Sequence, residues 1–95
     1  MKHGRRDANH SEVRDAFLKM GVSVRDLADV GDDCPDFLIG VAGIDQLVEV
    51  KSGDGKLSKG QIDFRNRLRG RKPTVIRSED EAIELVVSLG MESRK

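Results

Sequence analysis

The sequence has little cysteine and no long apolar run, and each of these two absences excludes classes of protein. Cys34 is the single cysteine among 95 residues, so no disulfide framework and no multi-cysteine zinc site can form within one chain. No apolar run approaches the roughly 20 residues of a membrane helix, and the start, MKHGRRDANH, lacks the apolar centre of a secretory signal. We therefore expect a cytoplasmic protein of a reducing compartment, with no membrane partner.

The length of the chain suffices for one small core. Residues 1–8 show no apolar periodicity and are interpreted as a flexible basic arm. Residues 9–90 are interpreted as a single domain, and residues 91–95 as a flexible tail. Any site is therefore expected on that one core.

The charges of the chain are segregated although they sum to zero. The 17 basic residues balance the 17 acidic ones, which excludes a uniformly basic nucleic-acid-binding surface. Residues 26–49 contain seven acidic and no basic residues, whereas residues 50–77 contain nine basic and two acidic ones. An acidic segment that can hold a cation is thus followed by a basic segment that can hold phosphates.

Apolar periodicity and capping patterns predict the element order αβββαβα. Each helix is expected to begin where a Ser or Asn precedes a Glu or Gln by three residues. These pairs are Asn9 with Glu12, Ser58 with Gln61, and Ser78 with Glu81. The helices are expected to end at glycines. These are Gly21, Gly70 and Gly90.

The segments PDFLIGV and IDQLVEVK are predicted to form an antiparallel hairpin with a tight turn at Ala42 and Gly43. Counting back from this turn in equal steps sets Asp36 opposite Glu49. Like charges directly opposite each other are destabilising, and Asp29, Asp32 and Asp33 lie close by in sequence. A bound cation would remove that penalty.

The side chains of the second strand alternate between two faces. Glu49 and Lys51 are expected to share one face, while Val48 and Val50 point into the core. Carboxylate ligands without a Cys or His cluster suit Mg²⁺ or Mn²⁺, which also bind substrate phosphate oxygens. Lys51 can stabilise charge on a phosphate or orient an attacking water. The pattern indicates hydrolytic phosphate chemistry.

The same residues carry a family resemblance. Pro35-Asp36, twelve intervening residues and Glu49-Val50-Lys51 resemble the signature of the PD-(D/E)XK nuclease superfamily, whose core has a similar element order. KSGDGKLSKGQIDF followed by VIRSEDEA resembles the VRR-NUC branch, and the likeness spans most of residues 9–89. The resemblance implies a restriction-endonuclease-like α/β fold with a mixed central sheet flanked by helices. It also implies a metal-dependent endonuclease of the phage or DNA-repair type, related to Holliday-junction resolvases.

The resemblance implies roles for particular residues. Asp36, Glu49 and the Val50 carbonyl would bind Mg²⁺ or Mn²⁺, and Lys51 would assist the attacking water. Gln61 and Glu12 would join the catalytic group, although each also lies at a capping-box position. Because the chain is short and lacks a separate DNA-binding domain, we expect selectivity for branched or junction DNA, or nonspecific cutting, rather than sequence-specific restriction.

Basic residues follow the acidic segment and are expected to contact DNA phosphates, unless they only form a solvated surface. The nucleic-acid-binding candidates are Lys56, Lys59, Arg65, Arg69, Arg71 and Lys72. No nucleotide cofactor is expected, because GDGKLSKG lacks the GxxxxGK[ST] pattern. His10 is interpreted as a surface residue near a helix start, and Cys34 as a small buried residue or an exposed bystander.

Two functions follow from these features. The first is a Mg²⁺- or Mn²⁺-dependent DNA endonuclease, and the alternative is a noncatalytic nucleic-acid-binding or assembly module with the same fold.

One small chain offers one metal site, and cutting both strands of DNA needs two. We therefore expect a homodimer with a two-fold axis.

Overall fold

The computed structural model describes residues 9–94, so the arm of residues 1–8 lies outside the described residues, as does Lys95. Three helices and four strands form a small α/β domain, and the order αβββαβα is confirmed. The elements are α1 (His10–Lys19), β1 (Ser23–Asp26), β2 (Phe37–Val41), β3 (Ile44–Val50), α2 (Lys59–Arg67), β4 (Thr74–Ile76) and α3 (Glu79–Ser93). Within residues 9–94 no helix has the length and apolarity needed to cross a membrane.

The four strands form one mixed sheet in the order β1-β2-β3-β4. The first three strands pair antiparallel, and β4 runs parallel to β3. Val41 pairs with Ile44 and Phe37 with Val48, which confirms the predicted hairpin register. Ala42 and Gly43 both have positive φ, at 52° and 85°, as a type I′ turn requires. Asp36 lies directly before β2, next to the end of β3.

The core lies between one face of the sheet and the helices α1 and α3. Alternate residues of β2 and β3 point into it, and the predicted core positions Val48 and Val50 are confirmed. The Phe17 ring of α1 meets the Phe37 ring edge-on, with centroids 6.2 Å apart. The buried apolar residues are Val13, Ala16, Phe17, Phe37, Ile39, Val48, Val50, Ile76, Ala82 and Leu89.

The helix starts agree with the predicted caps at α2 and α3 but not at α1. At α2, Ser58 Oγ accepts from the Gln61 N–H, and Gln61 Oε1 accepts from the Ser58 N–H, so this capping box is confirmed. At α3, Ser78 Oγ accepts from the Glu81 N–H at 3.2 Å. The capping box predicted for Asn9 was wrong, since its side chain makes no cap hydrogen bond. The Asn9 amide instead donates to two carbonyls at the ends of β3 and β4.

Two helix ends differ from the prediction. α2 ends at Arg67, before Gly70. α3 continues past Gly90 to Ser93, so residues 91–93 belong to the helix, and the predicted helix end at Gly90 was wrong. Ser93 Oγ donates to the Ala42 carbonyl at 2.8 Å, which fastens the last helical turn to the β2–β3 turn. A tertiary contact thus supports helix beyond the glycine.

Candidate functional site

Glu49 is buried on the face of the sheet that lies away from the core. It is only 6 % exposed, although its neighbours Val48 and Val50 point to the opposite face. Glu49 is therefore not part of a solvated hairpin surface. Its Oε2 atom accepts a hydrogen bond from Gln61 Nε2 of α2 at 3.1 Å. A buried carboxylate needs such partners to offset the loss of water.

Gln61 completes the predicted capping box and also reaches Glu49. Its Oε1 accepts from the Ser58 backbone N–H at 2.8 Å, which fixes the orientation of the amide. Its Nε2 is then directed at Glu49. The capping box of α2 therefore also positions a donor at the candidate site.

Asp36 lies beside the end of β3 and contacts both the strand and α1. Its Oδ2 accepts from the Val50 N–H at 2.8 Å, and its Oδ1 lies 3.7 Å from His10 Nδ1. Burial raises the pKa of the Cys34 thiol, and the charges of Glu49 and Asp36 raise it further. Phe37 pairs with Val48 in the hairpin, and Asp36 bonds to the backbone next to Glu49, so Asp36 and Glu49 lie together at the end of β3, as the predicted register implies.

His10 is a site neighbour that the sequence analysis placed wrongly on the surface. It is 2 % exposed, and its ring centroid lies 4.6 Å from that of Phe37. Its Nε2 lies 3.3 Å from Asp26 Oδ2, so the ring sits between Asp26 and Asp36. His10 precedes Val13 and Phe17 on the apolar side of α1. This spacing is the signal that would have revealed its burial.

Lys51 lies on the same side of β3 as Glu49, just beyond the strand. Its backbone N–H donates to the Ile76 carbonyl at 3.0 Å. Its side-chain stem passes Gly55, where an added Cβ would lie 3.9 Å from Lys51 Cβ and Cδ. Within the described residues the Lys51 ammonium has no hydrogen-bond or ion-pair partner. The cation is thus available to an anionic ligand.

Arg77 fixes the glycine-rich loop beside Lys51. Its guanidinium donates to the carbonyls of Gly53 and Gly55, both at 2.8 Å. Sequence reasoning did not single out Arg77, because the pattern shows a charge at the end of a strand and not the carbonyls that it meets. The contact holds the loop that borders the Lys51 stem.

Glu12 lies on a different side of α1 from His10. It lies two residues after His10, about 200° around α1, and borders a groove formed with Glu79 and Ile83 of α3. The side of α1 that meets Asp36 is that of His10. The structure thus places His10 beside Asp36 and Glu12 beside α3.

Asp33 packs closely against the first turn of α2. A Cβ on Gly60 would lie 2.2 Å from Asp33 Oδ2, so glycine at this position makes room for the carboxylate. Asp33 also borders a small void together with Pro35, Glu49 and Gln61. A negative charge at a helix N-terminus is favourable. The close approach was not evident from the sequence, which shows Gly60 only as an unfavourable helix residue.

Three of the six predicted DNA-contacting residues are held by internal contacts. Arg65 donates to the Pro73 carbonyl at 2.6 Å, and Lys72 donates to the carbonyls of Arg65 and Leu68. Arg71 forms two hydrogen bonds with Glu92, at 3.0 and 2.9 Å.

The other three candidates are more open. Lys59 lies 3.3 Å from Asp63 one helical turn away. Lys56 and Arg69 are exposed, and neither has a hydrogen-bond or ion-pair partner within residues 9–94. Among the six candidates, these two side chains are the most available to phosphate.

The donor set at the end of β3 fits a hard divalent cation. Residues 9–94 contain no cluster of three or more His, Cys, Asp or Glu side chains suited to a metal ion. Asp36 and Glu49 nevertheless provide carboxylate oxygens. The Val50 carbonyl leaves the strand on the same side as its N–H, which is the side of Asp36. Two carboxylates and a carbonyl are donors that Mg²⁺ and Mn²⁺ accept.

Comparisons of the chain with protein-family models, with curated proteins and with solved structures give no match. The function is therefore argued from the residues and geometry of the site.

Proposed function

We propose that the chain is a Mg²⁺- or Mn²⁺-dependent DNA endonuclease that resembles the VRR-NUC branch of the PD-(D/E)XK superfamily, with a restriction-endonuclease-like fold. The observation that carries the proposal is the 3.1 Å hydrogen bond from Gln61 to the buried Glu49. It joins two segments of the motif that are twelve residues apart in sequence. Asp36, from the third segment, bonds to the Val50 N–H beside them.

The residues of the site have distinct tasks in this proposal. Asp36, Glu49 and the Val50 carbonyl would hold the divalent cation. The bound cation supplies a Lewis acid for phosphodiester hydrolysis and lowers the pKa of water. Gln61 orients Glu49, and the buried His10 ring borders Asp36 at 3.7 Å without a hydrogen bond to it. The Lys51 ammonium, which has no partner among residues 9–94, would face the negative charge of the scissile phosphate.

The proposed substrate is DNA, with a preference for branched or junction structures. Lys56 and Arg69 are the residues proposed to contact its phosphates, because Arg65, Arg71 and Lys72 are held by internal hydrogen bonds. A homodimer would supply the second site needed to cut two strands. We place the enzyme in the cytoplasm, where a free thiol such as Cys34 stays reduced.

A cleavage assay with branched and linear DNA in the presence of Mn²⁺ tests the proposal. Glu49→Gln should lower the cleavage rate by at least ~100-fold, because it removes a charged oxygen donor from the cation. Asp45→Asn is the matched control, since Asp45 lies on the same face of β3 but is exposed. Equal cutting by the wild type and Glu49→Gln would rule out the assigned site.

A noncatalytic DNA-binding or assembly module is the second candidate function. It is favoured by the hydrogen bonds that Asp36 and Glu49 already accept within the protein, which allow a purely structural role for both. This candidate predicts DNA binding without cleavage at any Mn²⁺ concentration. It also predicts that Glu49→Gln binds DNA as the wild type does.

A further inference from the structure

The outward side of α3 carries three exposed apolar side chains in one line. Ile83 is 44 % exposed, Val87 54 % and Met91 60 %. Their spacing of four residues places them on one stripe along the helix. The core residues Ala82 and Leu89 lie on the opposite side of the same helix. The stripe is therefore apolar surface that packing within residues 9–94 leaves exposed.

The two ends of this stripe carry opposite charges. Asp80 and Arg94 each lie seven residues from Val87, which is about two helical turns and hence the same side of α3. Within the part of the chain that the structure describes, neither side chain has a hydrogen-bond or ion-pair partner. The stripe thus has an acidic end, an apolar centre and a basic end.

We propose that this surface joins two copies of the chain, with α3 packed antiparallel against α3 of a second copy about a two-fold axis at Val87. Antiparallel pairing sets Ile83 level with the second copy's Met91, four residues to either side of Val87. It also sets Asp80 level with the second copy's Arg94. The surface is therefore self-complementary in charge and in apolar character, as a two-fold interface requires. The proposal concerns assembly and does not depend on the nuclease activity.

Gly90 supports a close approach of a second helix. It lies inside α3, where glycine is less favourable than alanine. Apart from its chain neighbours and the nearby backbone of α3, no atom of residues 9–94 lies within 4 Å of the position that a Cβ at Gly90 would take, so packing there does not require glycine. In the antiparallel pair, Gly90 is level with Glu84 of the second copy. The missing side chain leaves room for that glutamate.

Sedimentation of the full chain over a range of concentrations tests the interface. We expect the wild type to form a dimer, and Val87→Asp to weaken dimerisation at least ~10-fold by placing two carboxylates at the axis. Val30→Asp is the matched control, because Val30 is 60 % exposed in the loop before β2 and should leave dimerisation unchanged. A wild type that stays monomeric, or a Val87→Asp variant that dimerises normally, would overturn the proposal.

A charge exchange tests the antiparallel register. Asp80→Arg and Arg94→Asp each place like charges level with one another across the interface. Each variant should weaken dimerisation, by about twofold to fivefold for every such pair, and the two-fold axis creates two pairs. The double variant restores opposite charges across the axis and should dimerise like the wild type. A double variant at least as weak as the worse single variant would contradict this pairing. Circular dichroism checks that all variants are folded.

Discussion

The two faces of the sheet differ in what they bury. The face towards α1 and α3 is closed by fully buried apolar side chains, among them Phe17, Phe37 and Val48. On the other face, α2 lies beside Glu49, has no buried residue and leaves a small void between Glu49 and Phe64. Strand β3 serves both faces, with valines on one and Glu49 on the other.

The difference between the two faces separates the source of stability from the candidate site. Burial of apolar area is the main stabilising term in folding, and it lies on the α1–α3 face. The α2 face holds a buried carboxylate and a directed amide, which stabilise little but define a polar site. Substitutions on the two faces should therefore have separable effects.

The largest expected effect is on the core face. Phe37→Ala should lower the free energy of unfolding by about 3–5 kcal/mol, since it removes a fully buried ring and leaves a cavity. Phe64→Ala on the α2 face should cost only about 1 kcal/mol, because Phe64 is half-buried. Urea unfolding followed by circular dichroism measures both. Equal losses would contradict the assignment of stability to one face.

His10 contacts Phe37 in the core and Asp36 at the candidate site. Its replacement should change the affinity for Mn²⁺ more than the stability of the fold. His10→Leu keeps an apolar contact with Phe37 but removes the imidazole from between Asp26 and Asp36. We expect Mn²⁺ to bind about 10–100-fold more weakly, as is typical when a partner of a metal ligand is lost. Calorimetry gives the affinity, and thermal unfolding gives the stability. A loss of stability with unchanged Mn²⁺ affinity would show that His10 is only a core residue.

Two substitutions of Gln61 separate its capping role from its role at the site. Gln61→Glu keeps an acceptor for the Ser58 N–H but loses the donor to Glu49 and adds a like charge. It should reduce cleavage about tenfold with little change in stability. Gln61→Ala should in addition lower the stability by about 1 kcal/mol through loss of the capping box. If Gln61→Glu cleaves like the wild type, the contact with Glu49 has no functional role.

The smallest expected effect lies at the hairpin turn, away from the site. Ala42 has φ 52°, a left-handed conformation that costs a residue with a Cβ about 1 kcal/mol. Ala42→Asn creates the Asn-Gly pair preferred in type I′ turns and should raise the unfolding free energy by up to about 1 kcal/mol. Cleavage should not change, because the turn lies at the far end of β3 from Glu49. A shift of the urea midpoint to lower concentration would contradict this expectation.

The hairpin could be predicted from the sequence because two local rules determine it. A two-residue turn fixes the register, and the period of two in a strand fixes the faces of Val48 and Glu49. The Ser58–Gln61 pattern was equally informative, since one local hydrogen bond orients the amide that reaches Glu49.

Contacts between distant segments could not be predicted in this way. Asn9 matches a capping pattern, yet its amide bonds to carbonyls of residues 42 and 68 positions further along the chain. Lys72 and Arg65 read as a phosphate-binding run, but carbonyls near the end of α2 and before β4 bind them. Such partners exist only once the fold brings the segments together, so local patterns do not reveal them.

Titration calorimetry with Mn²⁺ tests the central claim, that the end of β3 holds a divalent cation, most directly. We predict binding by the wild type, retained in Asp45→Asn and lost in Asp36→Asn, which keeps an acceptor for the Val50 N–H but loses the charge. Absence of binding by the wild type, or equal binding by Asp36→Asn, would contradict the account.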